Sequence, residues 1–251
     1  MKTLAGQTQF HRLRVVLVAS RNPLNIGAAA RSMSNFGFRQ LRVVSPYDVA
    51  FRDARSAVGA SSVLENAQEY KTVPEAIADC TLVVATTAVG HRELQHPLRR
   101  LEYGAKLIRQ HLRSGTVALV FGSEKFGLSN RDLSYCHWLM RIPTRDEHVS
   151  MNLGQAVAVC LYELIRDARA ASPTGRTKIA NAGEVERLSR LLLDILHASG
   201  YIRPRAAEHT EAKLRRLVRR LHLQASDAEL MLGMLRQIGW KIQSREASPA
   251  T

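Results

Sequence analysis

The stretch that decides the fold runs from residue 13 to residue 36 and reads LRVVLVASRNPLNIGAAARSMSNF. Residues 13–19 are almost all apolar and rich in valine, which predicts a short strand buried on both faces. After a turn, small residues recur on one side of residues 26–36, which predicts a helix. A buried strand followed directly by a helix is the unit from which α/β folds are built.

The alternation continues along most of the chain. Further strands are predicted at residues 40–45, 81–86, 116–121 and 138–142, and helices at 74–79, 101–112 and 152–170. Residues 171–182, ASPTGRTKIANA, are polar and rich in turn residues, and beyond them the pattern is helical at 183–199, 210–222 and 226–243. We therefore expect an α/β domain with a largely parallel sheet at residues 1–170, a linker at 171–182 and a small all-α extension at 183–251.

Composition excludes several classes of protein. The chain has 251 residues, of which 45% are hydrophobic, so it is not a disordered protein. No apolar run is long enough to cross a membrane and the N-terminus lacks an apolar signal core, so we expect a soluble, cytoplasmic protein. Cys80, Cys136 and Cys160 form no CxxC pair and are expected to be buried thiols. There is no HExxH and the histidines show no ligand spacing, so no metal is expected.

The charge points to a polyanionic partner. The net charge is +14, and neutralising phosphates releases counterions, which drives binding. Five of the eight residues at 213–220, KLRRLVRR, are basic, and apolar residues recur among them at helical spacing. This predicts an amphipathic helix with a basic face, although an ordinary solvated surface helix stays open as an alternative. A membrane-surface helix is disfavoured, because the apolar stripe has no Trp or Phe.

Four loops follow predicted strands, at the edge where open α/β sheets bind their ligands. They are residues 21–27, which lead into Arg31, and residues 86–90, 122–128 and 142–154. None contains GxGxxG, GxxxxGK[ST] or GxSxG, which disfavours a dinucleotide site, a P-loop and an esterase elbow.

Polar residues in these loops are candidates for chemistry. Asn25 is predicted at a helix start, where its amide could cap the helix, and Arg31 follows near the same N-terminus. Since an arginine there opposes the helix dipole, it suggests an anionic partner, the alternative being a core carboxylate. Glu124 is either functional or a capping carboxylate. Ser150 and Asn152 flank the long helix, and Ser150 is a fair N-cap, so pure capping stays open for it as well.

The order of these segments resembles a known family. Asn25-x-Gly27-x-x-x-Arg31, then FGSEKFGLS at 121–129, then IP at 142–143 with SMNLGQAVAV at 150–159 resemble the three motifs of the SpoU/TrmH group of SPOUT methyltransferases. The segments at 199–202, 213–216 and 229–235 resemble the C-terminal extension of the TrmJ-type tRNA 2′-O-methyltransferases. The resemblance therefore spans nearly the whole chain.

The resemblance implies a fold, a cofactor and a reaction. The fold is a parallel α/β sheet with a deep C-terminal trefoil knot, and the cofactor is S-adenosyl-L-methionine. The protein is implied to be a homodimer whose active site lies near the interface, and to methylate the ribose 2′-hydroxyl of C or U at position 32 of the tRNA anticodon loop. Two alternatives stay open: another tRNA position or ribosomal RNA, and a non-catalytic RNA-binding protein on the same fold.

The resemblance also implies site residues. Arg31 matches the catalytic arginine, and Asn25, Glu124, Ser150 and Asn152 match the polar residues around it. The positions that match the cofactor loops are Thr86, Thr87, Ala88, Gly122, Ile142, Val149, Ser150 and Met151. The cations expected to contact RNA are Arg21, Arg31, Lys213, Arg215, Arg216, Arg219 and Arg220. Two positions depart from the usual pattern, Ser123 where arginine is common and Met151 where leucine is usual.

The chemistry of methyl transfer suggests how Arg31 acts. The reaction needs an oxygen nucleophile in line with the methyl carbon at ~3–3.5 Å. An arginine guanidinium keeps its protons near neutral pH and so is a poor candidate for a base. Our hypothesis is that Arg31 binds the neighbouring phosphate and stabilises the negative charge that develops on the oxygen.

Overall fold

The computed structural model describes residues 7–46, 51–52, 54, 62–88, 96–166, 178–202 and 207–246. These residues form one seven-stranded sheet in the order β3-β2-β1-β6-β4-β7-β5, and every pairing within it is parallel. The strands are β1 Leu13–Val18, β2 Gln40–Val44, β3 Gln68–Tyr70, β4 Leu82–Thr86, β5 Leu98–Arg100, β6 Val117–Phe121 and β7 Trp138–Arg141. The predicted α/β class is confirmed, and the trefoil knot stays a prediction.

Sequence patterns located the inner strands but missed the two edges of the sheet. The five predicted strands all form, with boundaries within one residue of those expected. β3 and β5 were not predicted, because each has only three residues (QEY and LRR) and most of them are exposed. Edge strands need no continuous apolar run, since only one side of their backbone is paired.

Nine helices lie in the described part of the chain. They are α1 Pro23–Phe36, α2 Ser62–Glu65, α3 Val73–Ile77, α4 Leu101–His111, α5 Asn130–Leu133, α6 Leu153–Arg166, α7 Ala182–Ala198, α8 Ala207–Arg220 and α9 Ala225–Glu246. Short 3₁₀ helices span Gln7–Arg12 and Asp146–His148. None of the helices in the described segments is long and apolar enough to cross a membrane.

Both faces of the sheet are covered by helices. One core layer joins the sheet to α1, α4 and α6. The other joins it to α3, α5 and the start of α7. This double burial explains why β6 is buried at every position and reads as a continuous apolar run. The three cysteines lie unpaired in these layers, as predicted.

The start of α1 differs from the prediction. Asn22 caps the helix, because its side chain accepts a hydrogen bond from the Leu24 backbone N–H at 2.9 Å and Pro23 occupies the first helical position. The expectation that Asn25 is the cap is therefore wrong. Asn25 lies within the first turn, where its amide is available for contacts with other loops.

The start of α6 differs in the same way. Asn152 Oδ1 accepts hydrogen bonds from the backbone N–H groups of Gly154 (2.9 Å) and Gln155 (3.3 Å). Asn152 is therefore the N-cap, and the expectation that Ser150 caps this helix is wrong. The described part of α6 ends at Arg166, and residues 167–170 of the predicted helix lie outside the described residues.

The C-terminal helices form a unit that is attached to the sheet domain. α7, α8 and α9 share their own small apolar core. The α7 N-terminus is tied to the sheet domain, because the Gly183 N–H donates to the Ala78 carbonyl at 2.8 Å. Of the predicted linker, residues 171–177 lie outside the described residues, whereas Ala180 N donates to the Leu223 carbonyl at 2.9 Å and so pairs with the α8–α9 connection.

The basic helix α8 differs from the expectation, because three of its five cations are turned toward the protein. Arg219 is only 2% exposed, and its guanidinium lies 3.6 Å from the Glu186 carboxylate and over the Tyr135 ring. Arg215 packs against the same two residues. Arg216 is also buried. The prediction of a single exposed face made of all five cations is therefore wrong. Hydrophobic periodicity separates an apolar stripe from a basic stripe on a helix. A buried carboxylate and an aromatic ring can nevertheless hold the arginine side chains on the inside.

Histidines line the contact between the extension and the sheet domain. The His137 ring is buried, accepts a hydrogen bond at Nδ1 from Val83 N (3.0 Å), and stacks on His222 of the α8–α9 turn. Burial lowers the pKa of His137 well below its usual range, and the charge of Arg219 lowers it further. Burial likewise lowers the pKa of His222, and that of His111 to about 4.

We expect the fold to weaken in mild acid. Because these pKa values are lower in the folded chain than the ~6.5 of an unfolded one, the stability from neutral rings is fully present above about pH 6.5 and is lost as the pH falls below it. Calorimetry should show a melting temperature several degrees lower at about pH 5 than at about pH 7.5.

The matched variant for this prediction is His137→Asn. Its amide oxygen retains an acceptor for Val83 N but cannot take up a proton. We expect a lower melting temperature at neutral pH and a smaller decrease in acid. A decrease as large as that of the wild type would show that His137 does not contribute to the acid sensitivity.

Candidate active site

Glu124 joins the loop after β6 to the loop after β1. Its carboxylate accepts hydrogen bonds from the backbone N–H groups of Arg21 (3.3 Å) and Asn22 (3.4 Å). It also accepts one from Asn25 Nδ2 at 2.9 Å. Both carboxylate oxygens are therefore engaged by one short loop, whose position they fix against the sheet.

Asn25 extends this connection to the third loop. Its Oδ1 accepts a hydrogen bond from Asn152 Nδ2 at 2.7 Å, while its Nδ2 donates to Glu124. Asn152 in turn caps α6 with its own Oδ1. Residues from three separate sequence motifs are thus linked by side-chain hydrogen bonds within one chain, and we refer to Glu124, Asn25 and Asn152 as the polar network.

Two glycines allow the backbones to approach closely enough for the polar network to form. A side chain at Gly122 would collide with the Gly127 backbone, in a tight turn where Gly127 itself has φ +66°. A Cβ at Gly154 would lie 2.6 Å from Ala28 Cβ, so glycine lets the start of α6 pack against α1. That packing places Asn152 within reach of Asn25.

A pocket opens at the carboxyl ends of β4, β6 and β7, beside the polar network. All eight residues expected at the cofactor line it: Thr86, Thr87, Ala88, Gly122, Ile142, Val149, Ser150 and Met151. Glu124 lines it as well. Two hydrogen bonds anchor the loop after β4. Thr87 N donates to the Met140 carbonyl at 3.0 Å, and the Thr86 hydroxyl donates to the Val120 carbonyl.

The pocket has a mixed lining. Ile142, Val149 and Met151 supply apolar surface, and Ser150 and Thr144 supply hydroxyls. Such a lining suits an organic ligand with a flat apolar part and a polar part. Within the described segments, no group of three or more His, Cys, Asp or Glu side chains could hold a metal ion.

Sequence reasoning missed several residues of this pocket. Phe121, Thr144, Leu153 and Ala156 also line it. Leu153 and Ala156 belong to the first turn of α6. The sequence signal that could have found them is that both follow Asn152 within one helical turn.

A larger cavity, of about 670 Å³, lies elsewhere, between α5 and α8. It is lined by residues such as His96, Arg131 and Arg215 and lies outside the strand ends. The smaller pocket is the better candidate for chemistry, because the loops after three parallel strands converge only there.

Arg31 lies apart from the pocket lining of its own chain. It is exposed on α1, six residues after Asn25, and the residues that line the pocket do not include it. No carboxylate in the described part of the chain pairs with it, so the alternative of a core ion pair finds no support there. Its side chain is therefore directed to solvent or to another molecule.

A family model and the most similar curated sequences point to the same family. Residues 12–162 match the SpoU rRNA Methylase family. The chain is 36% identical over 242 residues to the tRNA (cytidine/uridine/adenosine-2′-O-)-methyltransferase TrmJ of Pseudomonas aeruginosa, covering 89% of this chain and 92% of that one. It is 35% identical to the tRNA (cytidine/uridine-2′-O-)-methyltransferase TrmJ of Yersinia enterocolitica, covering 91% of each.

Solved structures agree with the sequence relatives. The crystal structure of TrmJ from Z. mobilis superposes with a TM-score of 0.79 at 31% identity, covering 90% of this chain and 98% of that one. A putative methylase family protein from Neisseria gonorrhoeae superposes with a TM-score of 0.64 at 29% identity, covering 74% of this chain and 96% of the other.

We expect Gly154→Ala to disturb the polar network. The added methyl group would lie 2.6 Å from Ala28 Cβ, so α6 must move away from α1. Overpacking of this kind costs about 1–3 kcal/mol of unfolding free energy, measurable by urea denaturation. Gly233→Ala on α9 is the control, since a Cβ there meets nothing within 4 Å and should be neutral or slightly stabilising. Equal effects of the two changes would contradict the close approach.

Proposed function

This chain belongs to the SpoU rRNA methylase family, and from that premise we propose that it transfers the methyl group of S-adenosylmethionine to a ribose 2′-hydroxyl of tRNA. The observation that carries the proposal is the convergence of the eight expected cofactor residues on one pocket beside the polar network. Both relatives are named as acting on cytidine and uridine, and the first also on adenosine, which supports C or U as the target nucleotide. Position 32 is proposed from the resemblance of the motifs alone. Such a role is expected in the cytoplasm.

The pocket residues fit S-adenosylmethionine. Ile142, Val149 and Met151 would pack on its apolar parts, and the hydroxyls of Thr87 and Ser150 would hydrogen-bond its polar groups. When bound, this cofactor supplies a methyl group on a positively charged sulfur. Among the lining residues, Glu124 contributes a carboxylate that belongs to the polar network, and its oxygens are already engaged by residues 21–25.

The polar network positions the loops. Because Glu124 accepts three hydrogen bonds from the loop after β1, its role is to hold that loop at the pocket edge. Asn25 and Asn152 extend the same function to the start of α6. The loop then presents Arg21, whose side chain is exposed, toward an incoming RNA.

Arg31 has the role of an electrostatic stabiliser. Its guanidinium would bind the phosphate next to the target ribose, stabilising the negative charge that develops on the 2′-oxygen. Phosphate or solvent would then take up the hydroxyl proton. The exposed position of Arg31 leaves it accessible to such a substrate.

We also propose that the protein is a homodimer with its active site near the interface. Tyr162 of α6 and Tyr103 of α4 are half exposed, and Tyr162 contacts Phe36 of α1. Tyr162 thus supplies apolar surface beside the helix that carries Arg31. Light scattering of the purified protein measures the oligomeric state directly, and a monomer at working concentrations would contradict a dimer.

The decisive experiment is transfer of a labelled methyl group from S-adenosylmethionine to unmodified tRNA transcripts, with the product nucleotide identified. We expect 2′-O-methylated C or U at position 32. Arg31→Lys should bind the cofactor normally in calorimetry but transfer methyl at least ~100-fold more slowly, because lysine lacks the bidentate fork. Wild-type turnover by this variant would exclude the role of Arg31, and a wild type that binds no cofactor would favour a non-catalytic RNA-binding protein.

We propose a smaller set of RNA-binding cations in the extension than the sequence predicted. The exposed cations Lys213 and Arg220 line one surface groove together with the buried Arg216 and with Tyr201, which is 70% exposed. Cations beside an exposed aromatic ring suit a nucleic-acid backbone and its bases. We therefore propose that the 183–251 extension contacts tRNA through this groove, while Arg215 and Arg219 pair with Glu186 of α7 and pack on the Tyr135 ring of the sheet domain.

We expect the double variant Lys213→Gln with Arg220→Gln to bind tRNA more weakly and with a flatter salt dependence. Losing two phosphate contacts lowers the slope of log affinity against log salt by about 1.5–2. The control is Arg236→Gln with Lys241→Gln, which removes the same charge from exposed positions on α9. Filter binding at several salt concentrations measures both slopes, and equal slopes for the two variants would reject the groove.

A further inference from the structure

An aromatic ring projects into solvent at the edge of the candidate pocket. Phe126 is 64% exposed, although it lies in a tightly held turn. Gly127 N donates to the Ser123 carbonyl at 2.9 Å, and Phe126 N donates to the Ser123 hydroxyl at 3.3 Å. The ring is therefore presented outward by a fixed backbone, and a partner that covered it would remove apolar area from water.

One face of this ring already has a neighbour. Lys125 Nζ lies 5.1 Å from the ring centroid, in cation–π contact. A flat ligand can therefore stack on the opposite face, with the lysine charge close enough to attract a phosphate. Aromatic side chains flanked by cations are how proteins bind unpaired bases of single-stranded nucleic acid.

The ring is also close to the expected point of reaction. Glu124, which lines the pocket, precedes Phe126 by two residues, so their Cα atoms are at most ~7 Å apart. Arg21, whose N–H is bound by Glu124, brings a second exposed cation to the same edge. A nucleotide whose ribose lies at the mouth of the pocket would thus have its own base, or that of its neighbour, beside the ring.

We propose that Phe126 is a stacking platform for an unpaired base of the RNA substrate, next to the ribose that is methylated. The inference rests on the proposed function and adds to it a positioning residue that selects unpaired RNA. Paired bases are covered by their neighbours in a duplex and cannot stack on this ring.

The test compares three substitutions at this position. Phe126→Ala removes the ring, Phe126→Leu keeps apolar volume without a π face, and Phe126→Tyr keeps the ring. Removing a stacked base contact weakens binding by about tenfold to 100-fold. We expect Ala and Leu to raise KM and Kd for tRNA transcripts by that factor, Tyr to resemble the wild type, and S-adenosylmethionine affinity to stay unchanged in all three.

Two controls complete the experiment. Trp240→Ala removes another exposed aromatic ring, one that lies on α9, and it should leave the Kd for tRNA unchanged. A fully double-stranded RNA should bind the wild type and Phe126→Ala equally well. Light scattering checks that Phe126→Ala does not alter the oligomeric state.

The outcomes separate this inference from the proposed function. If the wild type methylates tRNA and Phe126→Leu matches it in KM and Kd, the platform is refuted while the function stands. If the wild type binds tRNA without methylating it, the function fails and the Kd values still decide the platform. A change of oligomeric state, an equal loss with duplex RNA, or a wild type that binds no RNA would each overturn the platform.

Discussion

The candidate site depends on one chain of hydrogen bonds, from Asn152 to Asn25 to Glu124. Each contact joins residues about a hundred positions apart in the sequence, so together they fix three loops that only the sheet brings close. An amide can donate and accept at once, which makes Asn25 suited to the central position. The close packing that the network needs is possible because position 154 has no side chain to meet Ala28. The loops are therefore ordered before any ligand binds, which lowers the entropic cost of binding.

The extension is attached to the sheet domain by polar contacts as well as by apolar ones. Arg219 of the extension is almost fully buried against the Tyr135 ring of the sheet domain, and Glu186, within the extension, compensates its charge. Desolvation lowers the pKa of Arg219, and the nearby carboxylate opposes this effect. Buried ion pairs of this kind add little net stability but impose a specific arrangement, since removing one partner leaves an uncompensated charge. This contact orients α8 so that Lys213 and Arg220 face outward.

Groups of different chemical character occupy different places around the pocket. Apolar side chains and hydroxyls line its interior, which suits a small organic ligand. Arg21, Arg31 and Lys125 are exposed outside it, where a polyanion can reach them. The net charge of the chain is +14, which can attract RNA to the protein. The three cations named here lie outside the pocket and leave its interior to apolar side chains and hydroxyls.

Local sequence signals were enough to predict the α/β class and the five inner strands, because a strand buried on both faces must be apolar. The resemblance of the motifs to a family predicted eight residues of the pocket lining, at the edge that the loops after parallel strands share, but it missed others such as Phe121 and Leu153. Tertiary structure alone decided which asparagine caps each helix: Asn22 and Asn152 do so, since Asn25 is engaged by Glu124 and Ser150 faces the pocket. It also decided that Arg215 and Arg219 point inward, because the acid and the ring that hold them are distant in sequence. Periodicity records which residues share a helix face, whereas the direction of that face depends on what the rest of the chain packs against it.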